Sequence, residues 1–364
     1  MSDDSPLAPA GPAKVVLAAG GTAGHVFPAL AIRELLVERG SEVRLYCDER
    51  ALAYLGDLDR ASVDVVASGG LVTGSIRKRA TNLTKLVSGS FHARSLLKAF
   101  RPDLVIGLGG YASVGPVLAA RQLGIPSVLH EQNSVMGAAN KVTARSATAV
   151  ALTFDPTEGA RGTCHVTGNP SRPGIITVGE HPFPTPAASD PIGIVIMGGS
   201  QGARVVSDRV PAALAGLPEA MRARLQVTHQ ARPEDHERVS AAYAAARITA
   251  TVEPFIDVPA ALPHAHLVIT RSGATTVCDL AVARRPAIYL PLLSHKDLQQ
   301  VKNAQAVVSA GGAIICREDE TDTAELREQI ASLLAAPDQL TAMADAARAW
   351  SRPNAANDIV ALLN

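Results

Sequence analysis

Aromatic residues are scarce in this chain: 3% of 364 residues, with a single tryptophan. That disfavours the rows of stacked rings on which single-stranded nucleic acids or flat sugar clefts depend. Cysteine is sparse too, and Cys47, Cys164, Cys278 and Cys316 are widely scattered. With no C-x-x-C pair and no Cys/His spacing, neither a disulfide framework nor a zinc motif is indicated, and reduced cytosolic thiols are the expectation. An excess of either charge is missing: 34 Lys and Arg balance 34 Asp and Glu. No global field argues for nucleic acid, so only the local distribution of charge can point to a partner. No apolar run approaches the roughly 20 residues of a membrane-spanning helix. Residues 1–13 have no basic segment ahead of an apolar one and read as a flexible tail rather than a signal peptide.

What is present is core-forming material, 47% hydrophobic against 19% charged, in a length that suits two domains. Short β-branched runs alternate with amphipathic stretches, the pattern of a parallel sheet covered by helices. KVVLAAG (14–20) predicts a first strand that enters a Gly-rich turn. A helix should follow to about Arg39, with Gly40 just past its end. EVRLYC (42–47), DLVIGLG (103–109) and IPSVLH (125–130) continue the strands. The pattern restarts at IGIVIMGGSQG (192–202), and LQVTHQ, RITATVEPF, HLVITRSG and RPAIYLPL supply further strands. The expected fold is therefore α/β, with two doubly wound parallel-sheet halves. Residues 14–170 form the first, 171–191 a Pro-rich linker, 192–345 the second, and 346–364 a helix that returns to the first. Ligands of such sheets bind just beyond the strand ends, where the informative residues should lie.

Gly20-Gly21-Thr22-Ala23-Gly24-His25 follows the first strand and opens a helix. Glycines there admit an anion to backbone N–H groups at a positive helix end, or merely let strand and helix pack closely. Asp48, near the end of the second strand, flatters a dinucleotide reading. The adjacent Gly20 and Gly21 do not fit G-x-G-x-x-G. Gly198-Gly199-Ser200-Gln201-Gly202-Ala203-Arg204 takes the same place in the second half. His130-Glu131-Gln132-Asn133 ends a buried strand, where four polar residues need a ligand or one another. Arg271-Ser272-Gly273-Ala274-Thr275-Thr276 starts a helix that contains Asp279. This is either a diphosphate cradle with a ribose acceptor, or ordinary capping by Ser272 or Thr275. Gln299 and Gln300 could read sugar hydroxyls or simply face solvent.

Taken in order, GGTAGH, GLGGYAS, HEQN, GNPSR, GGSQGAR, FID, RSGATTV and HKDLQQ resemble the MurG family. These are UDP-N-acetylglucosamine:undecaprenyl-diphospho-muramoylpentapeptide β-N-acetylglucosaminyltransferases of glycosyltransferase family 28. The likeness runs from about residue 14 to 311 and more loosely beyond. It implies the GT-B fold, two Rossmann-like domains facing across a cleft, and inverting GlcNAc transfer from UDP-GlcNAc to the 4-hydroxyl of lipid-linked N-acetylmuramoyl-pentapeptide. Carried over, Ile256 meets the uracil, and Arg172, Ser200 and Arg271 lie near the nucleotide. Ala274, Thr275 and Thr276 hold the diphosphate and Asp279 the ribose. Gln299 and Gln300 hold the sugar, with Thr22, Gly24 and Asn133 contributing from the first half. Gly21, Thr22, Gly110 and Tyr111 receive the acceptor diphosphate. Asp279 stands where the family usually has Glu, and Ala23 where Gly is frequent.

His25 is the expected general base, as an imidazole able to titrate near neutrality, with Glu131 the second candidate. No Asp-x-Asp motif ends a strand, so neither a metal nor another cofactor is expected. From Val65 to Pro102 there is only basic charge: Arg77, Lys78, Arg79, Lys85, Arg94, Lys98 and Arg101. Leu71, Val72, Ile76, Leu83, Leu86, Val87 and Phe91 lie among them. That mixture suits peripheral contact with an anionic membrane on its cytoplasmic face, or a solvated basic helix. Other cell-wall synthesis and division proteins are further expected partners. Two rival readings stand beside the transferase: a UDP-GlcNAc 2-epimerase of the same architecture, and a non-catalytic nucleotide-sugar-binding scaffold.

Overall fold

The computed structural model describes residues 12–69, 76–199, 202–294 and 297–362, without the side chains of residues 76–80 and 83. The chain divides into two compact units, Met1–Pro170 with Asn354–Asn364, and Ser171–Pro353.

The first unit is a parallel sheet of β1 (Lys14–Ala19), β2 (Glu42–Cys47), β3 (Val63–Val65), β4 (Leu104–Gly107), β5 (Ser127–Glu131), β6 (Ala149–Leu152) and β7 (Cys164–Val166). Its strand order is β3-β2-β1-β4-β5-β6-β7. Strands covered on both faces must be apolar throughout, and the period of two sorts their side chains to opposite cores. Val15, Leu17 and Ala19 enter one core, and Val16 and Ala18 the other. Register places Leu17 between Leu45 and Ile106. Helix α1 (Ala23–Glu38) covers the first core with Val26, Ala29, Ile32 and Leu36, each fully buried. Burying one such Ile or Leu side chain contributes about 1.5–3 kcal/mol. On the other face lie α2 (Ile76–Phe100), through Ala93 and Leu97, and α3 (Tyr111–Leu123), through Val117 and Ala120. Helix α4 (Ala138–Thr143) packs beside α3.

The second unit opens with α5 (Pro173–Glu180) and continues with β8 (Ile192–Met197), α6 (Arg204–Ala215), α7 (Glu219–Arg222), β9 (Leu225–Gln230), α8 (His236–Ala245) and β10 (Thr249–Glu253). Next come α9 (Val258–Ala261), β11 (Leu267–Thr270), α10 (Ala274–Val282), β12 (Ala287–Tyr289), α11 (Gln299–Ser309), β13 (Ala313–Ile315), α12 (Thr323–Leu334) and α13 (Pro337–Trp350). The sheet order is β10-β9-β8-β11-β12-β13, again all parallel. The chain then returns to the first unit with α14 (Ala355–Ala361), whose Ile359 and Val360 complete the α1 core.

Two expected boundaries are corrected. Residues 171–191 are not a bare linker, because α5 lies among them with Ile175 and Val178 buried, and Phe183 joins the core of the second unit. At the other end α13 stays in the second unit through Leu340, Met343 and Ala344, so the chain crosses back at Asn354 rather than at 346.

Candidate active site

Both sheets have the strand order 3-2-1-4-5-6, counted from the first strand of each unit, with β7 added at one edge of the first. Connections leave in opposite directions from the strand pairs β1/β4 and β8/β11, and the loops at such a reversal leave an open crevice.

At the first reversal two glycine loops touch backbone to backbone. Gly20 N–H donates to the Gly109 carbonyl at 2.9 Å, and a Cβ on Gly20 would come 2.9 Å from Gly110 Cα. Gly109 and Gly110 have φ of +84° and +74°, where only glycine sits without strain. The half-buried His25 ring lies on them: its Nε2 would be 3.1 Å from a Cβ on Gly109, and its Nδ1 is 2.8 Å from Thr22 Oγ1. Thr22 precedes α1 without capping it. Burial pushes the imidazole down to about 4, with Asp48 pulling it up and Arg50 pressing it further down. The expectation of titration near neutrality is thereby corrected; the ring is neutral at physiological pH. Gly21 is closed off by Asp48, whose Oδ1 would be 2.0 Å from a Cβ there. Asp48 itself pairs with Arg50 at 2.7 Å and accepts from Arg50 N–H, so it is built into the loop rather than presented to a ribose. Gly24 is different, because a Cβ there would meet only Thr22 Oγ1, at 4.0 Å. Tyr111 begins α3 behind Gly110 and is half-buried.

The HEQN run serves largely as internal scaffolding. His130 is fully buried, and its Nε2–H donates to the Gly168 carbonyl at 3.1 Å while Nδ1 accepts from Gln132 at 3.1 Å. Burial pushes this imidazole down to about 4. Gln132 also donates to the Leu108 carbonyl at 2.7 Å, tying this run to the Gly109–Gly110 loop. Glu131 is 1% exposed, and both its oxygens are engaged. Oε1 accepts from Asn133 N–H at 3.0 Å, and Oε2 from Gly137 N–H and Asn140 Nδ2, each at 2.8 Å. Burial pushes its carboxyl up against the pull of these donors. A carboxylate so enclosed shapes the turn and is poorly placed to take a proton from a substrate, which leaves His25 ahead of it. Asn133 is half-buried at the head of the turn.

At the second reversal Gly198, Gly199 and Gly202 make the turn before α6, with φ of +83° at Gly199 and +67° at Gly202. Ser200 lies outside the described residues. The loop after β11 leads into α10, whose N-cap is Gly273 with no side-chain cap. Ser272, expected as a capping candidate, instead donates its hydroxyl to the Gln300 carbonyl at 2.8 Å. Gly273 has an ordinary φ of −62°, and a Cβ there would meet only Thr276 Oγ1, at 3.9 Å. Among the described residues nothing demands glycine at this position. A helix start without a side-chain cap, bordered by such a glycine and with Ala274, Thr275 and Thr276 in its first turn, presents a positive end with room for an anion.

Asp279 lies one turn further along α10, 6% exposed, with Arg172 Nη2 3.9 Å from its Oδ2. Burial pushes its carboxyl up to about 6, while Arg172 and Ser171 draw it down. Its Oδ1 is buried, and although the buried Ser171 hydroxyl lies beside the carboxyl, neither atom makes a well-formed hydrogen bond among the described residues. A buried acceptor left without a donor costs about 1–3 kcal/mol, and a ligand hydroxyl would relieve it. Ile256 is buried beside the exposed Phe255 in the loop after β10. Arg271, expected to face the nucleotide, is 7% exposed, and its Nη1 donates to the carbonyls of Leu290 (2.7 Å) and Pro291 (3.1 Å) and pairs with Glu318. Gln300 accepts from Leu292 N–H at 2.9 Å, and Gln299 starts α11. Glu318 escaped sequence reading because no motif marks it, while Ser171 and Leu298 lie within GNPSR and HKDLQQ without a side chain that singles them out. Leu298, a non-glycine residue at φ +48°, shows only in the backbone.

Of the basic apolar stretch, residues 71 and 72 lie outside the described residues, as do the side chains of residues 76–79 and 83. On the remainder of α2, Val87 and Phe91 are 49% and 70% exposed, with Lys85 and Lys98 also exposed. Among the described residues no helix is long and apolar enough to cross a membrane.

The glycosyltransferase family 28 N-terminal domain matches residues 15–152, and the family 28 C-terminal domain matches residues 193–359. A UDP-N-acetylglucosamine–N-acetylmuramyl-(pentapeptide) pyrophosphoryl-undecaprenol N-acetylglucosamine transferase of Rhodopseudomonas palustris (strain BisB18) is 43% identical, over 96% of this chain and 94% of its own. The protein of that name from Rhizobium etli is 42% identical over 94% and 92%. Among solved structures, Acinetobacter baumannii MurG superimposes with a TM-score of 0.76 and 32% identity, covering 96% of this chain and 99% of its own. A UDP-GlcNAc 2-epimerase from Neisseria meningitidis, solved bound to UDP-GlcNAc, shares the fold at TM-score 0.65 and 15% identity. Two Rossmann-like units of parallel sheet, matched over their length by these domains, define a GT-B glycosyltransferase. The chain belongs to the UDP-N-acetylglucosamine–N-acetylmuramyl-(pentapeptide) pyrophosphoryl-undecaprenol N-acetylglucosamine transferases of family 28.

Proposed function

We infer that this enzyme transfers GlcNAc from UDP-GlcNAc to the 4-hydroxyl of lipid-linked N-acetylmuramoyl-pentapeptide, inverting the anomeric centre and releasing UDP. The hydroxyl oxygen attacks the anomeric carbon as the bond to the diphosphate breaks, and charge grows on the departing UDP. The observation that carries the donor assignment is the start of α10: no side-chain cap and, among the described residues, nothing that requires its glycine and no donor to Asp279 Oδ1. The N–H groups of Ala274, Thr275 and Thr276 offer the diphosphate a positive helix end, and such preorganised dipoles are often the largest catalytic contribution. Asp279 accepts from the ribose hydroxyls, Ile256 meets the uracil, and Gln299 and Gln300 take the sugar. Arg172 serves the nucleotide by steadying Asp279, and Arg271 by arranging loops.

In the first unit Gly21, Thr22, Gly110 and Tyr111 receive the acceptor diphosphate, and His25 takes the hydroxyl proton. For that role His25 Nδ1–H must donate to Thr22 Oγ1, leaving the Nε2 lone pair free. A base whose conjugate acid lies near 4 is weak, so an approaching diphosphate that raises this value also improves the base. Val87 and Phe91, with Lys85 and Lys98, dock the enzyme on an anionic membrane, the face on which the lipid-linked acceptor is offered. The identity of about 40% to transferases favours this reading over the epimerase, whose likeness is one of fold. The test is UDP release with and without the lipid-linked acceptor. Acceptor-dependent release supports the transferase, whereas conversion of UDP-GlcNAc to its epimer without acceptor would overturn it.

A further inference from the structure

Arg271 brings together the ends of three neighbouring strands in the second unit. It follows β11, its Nη1 gathers the Leu290 and Pro291 carbonyls just beyond β12, and it pairs with Glu318 beyond β13. The turn that bears Glu318 is itself pinned from α6, where Arg209 donates to the carbonyls of Glu318 (2.9 Å) and Thr321 (2.7 Å). From the loop that Arg271 holds, Leu292 N–H donates to Gln300 Oε1 at 2.9 Å. Beside Arg271, Ser272 Oγ donates to the Gln300 carbonyl at 2.8 Å, and Asn303 Nδ2 to the Ser272 carbonyl at 3.3 Å. Gln300 is thus held at its side-chain oxygen and at its backbone, which aims the amide nitrogen. Immediately before this turn Leu298 keeps a left-handed φ of +48°. Such a conformation persists only where its surroundings determine it.

We propose that Glu318 is a positioning residue for recognition of the donor's sugar, acting through Arg271 and the 290–292 loop on Gln300. The physical reason is charge. Arg271 is a buried guanidinium, and Glu318 is its carboxylate partner among the described residues. Without that partner a buried cation seeks other acceptors or water, and the loop whose carbonyls it gathers moves with it. The α10 start that faces the diphosphate depends on backbone N–H groups of its own helix and is touched less. The effect should therefore fall on the sugar and spare the nucleotide. The proposal rests on the reading above that Gln300 meets the sugar.

The experiment measures dissociation constants of UDP-GlcNAc and UDP for the full chain and for Glu318→Gln, Glu318→Asp and Gln300→Ala. Glu318→Gln should weaken UDP-GlcNAc about tenfold and UDP less than about twofold, the loss of one well-aimed hydrogen bond. Glu318→Asp, which keeps the charge, should recover most of the difference. Should Glu318→Gln fail to fold, the Glu318→Asp ratio of the two constants carries the test, with about a threefold change expected from the shorter arm. Equal weakening of both ligands would show a general loosening of the unit, and an unchanged ratio would show no coupling; either overturns the proposal. If Gln300→Ala shifts the ratio and Glu318→Gln does not, the positioning role alone fails. If Gln300→Ala leaves the ratio intact, the sugar assignment of Gln300 fails and the proposal with it.

Discussion

The two units repeat one strand order, yet their glycine loops answer to different demands. At the β1/β4 reversal, Gly20 is required by space, since Gly110 Cα lies where its Cβ would go, and Gly109 and Gly110 are required by backbone angle. These residues keep two loops in contact and give the His25 ring a flat surface to lie on. At the β8/β11 reversal, Gly273 is required by neither, for its angles suit any residue and the space beside it is open. The glycines fixed by space or angle, which include Gly198, Gly199 and Gly202 at the second reversal, are internal construction, whereas Gly273, like Gly24 in the first unit, leaves room for something external. The same contrast appears in the charged groups. In the first unit Asp48 is satisfied by Arg50 and Glu131 by three donors. In the second, Asp279 keeps an oxygen with no donor among the described residues. A duplicated topology has thus been specialised by which polar atoms are satisfied from within.

The largest effect should come from His25. His25→Ala is expected to lower kcat by about 100-fold or more at unchanged KM for UDP-GlcNAc, the usual worth of a general base. Because burial holds its imidazole near 4 in the free enzyme, the residue stays neutral well below neutrality, and kcat/KM, which reports the free enzyme, should be flat from about pH 8 down to about 5. Steady-state rates across that range decide the matter. A mutant with weaker acceptor binding but normal kcat would make His25 a binding residue only.

The glycine comparison itself can be broken directly. Gly20→Ala should cost about 3 kcal/mol in unfolding free energy, because rigid backbone faces the new methyl. Gly273→Ala should cost less than about 0.5 kcal/mol, as is usual away from core, cap or strain sites, and still weaken UDP-GlcNAc about tenfold. Denaturant melts and calorimetric titration of both variants give the two numbers. Gly273→Ala binding like the wild type would remove the argument for an anion at the α10 start.

Asp279 offers a pH handle of intermediate size. Its carboxyl sits at about 6, and it must be ionised to accept from two hydroxyls, so UDP-GlcNAc affinity should fall as pH drops below about 6. Asp279→Asn should bind more weakly at pH 7.5 and lose that pH dependence. Asp279→Ala should weaken binding about tenfold, and Asp279→Glu should be tolerated, since the longer arm reaches the same hydroxyls. A pH-independent wild-type affinity between 5 and 7.5 would rule out the ionised-acceptor role.

The smallest effect separates stability from function. His25, His130 and His229 are held near 4, each chiefly by burial, against an ordinary value of 6.5. Between those values the unfolded chain binds more protons than the folded one, so stability falls as pH falls from about 6.5 to 4. Asp279, raised from 3.8 to about 6, and Glu131, also raised by burial, act in the opposite sense over part of that window, against these three histidines and His266, which burial lowers too. His229, enclosed by Tyr243 at 2.8 Å in the second unit, belongs to no ligand site. His229→Gln should flatten the melting-temperature slope in acid without changing the pH dependence of UDP-GlcNAc binding.

The sequence by itself determined the class of fold, because burying both faces of a parallel strand leaves no polar position. KVVLAA and IGIVIM therefore announce themselves as strands wherever they occur. It also marked the loops in which the proposed chemistry lies, although the HEQN run and the Gly20 turn serve largely as internal scaffolding. Strands such as β13, three residues with two of them half-buried, carry too weak a pattern to be read that way. Which motif residue faces a ligand and which faces the protein was decided only by tertiary structure. Arg271 and Asp279 look equally suited to a nucleotide along the chain. Carbonyls from residues 290 and 291 and a carboxylate at 318 claim the arginine, while Arg172 stops at 3.9 Å from the aspartate and its other oxygen has no donor among the described residues. Those partners lie up to 107 residues away from the groups they satisfy, Arg172 to Asp279 being the longest of these separations. Local sequence constrains neighbours within a turn or two, and hydrogen-bond satisfaction is settled by whatever the completed fold brings alongside.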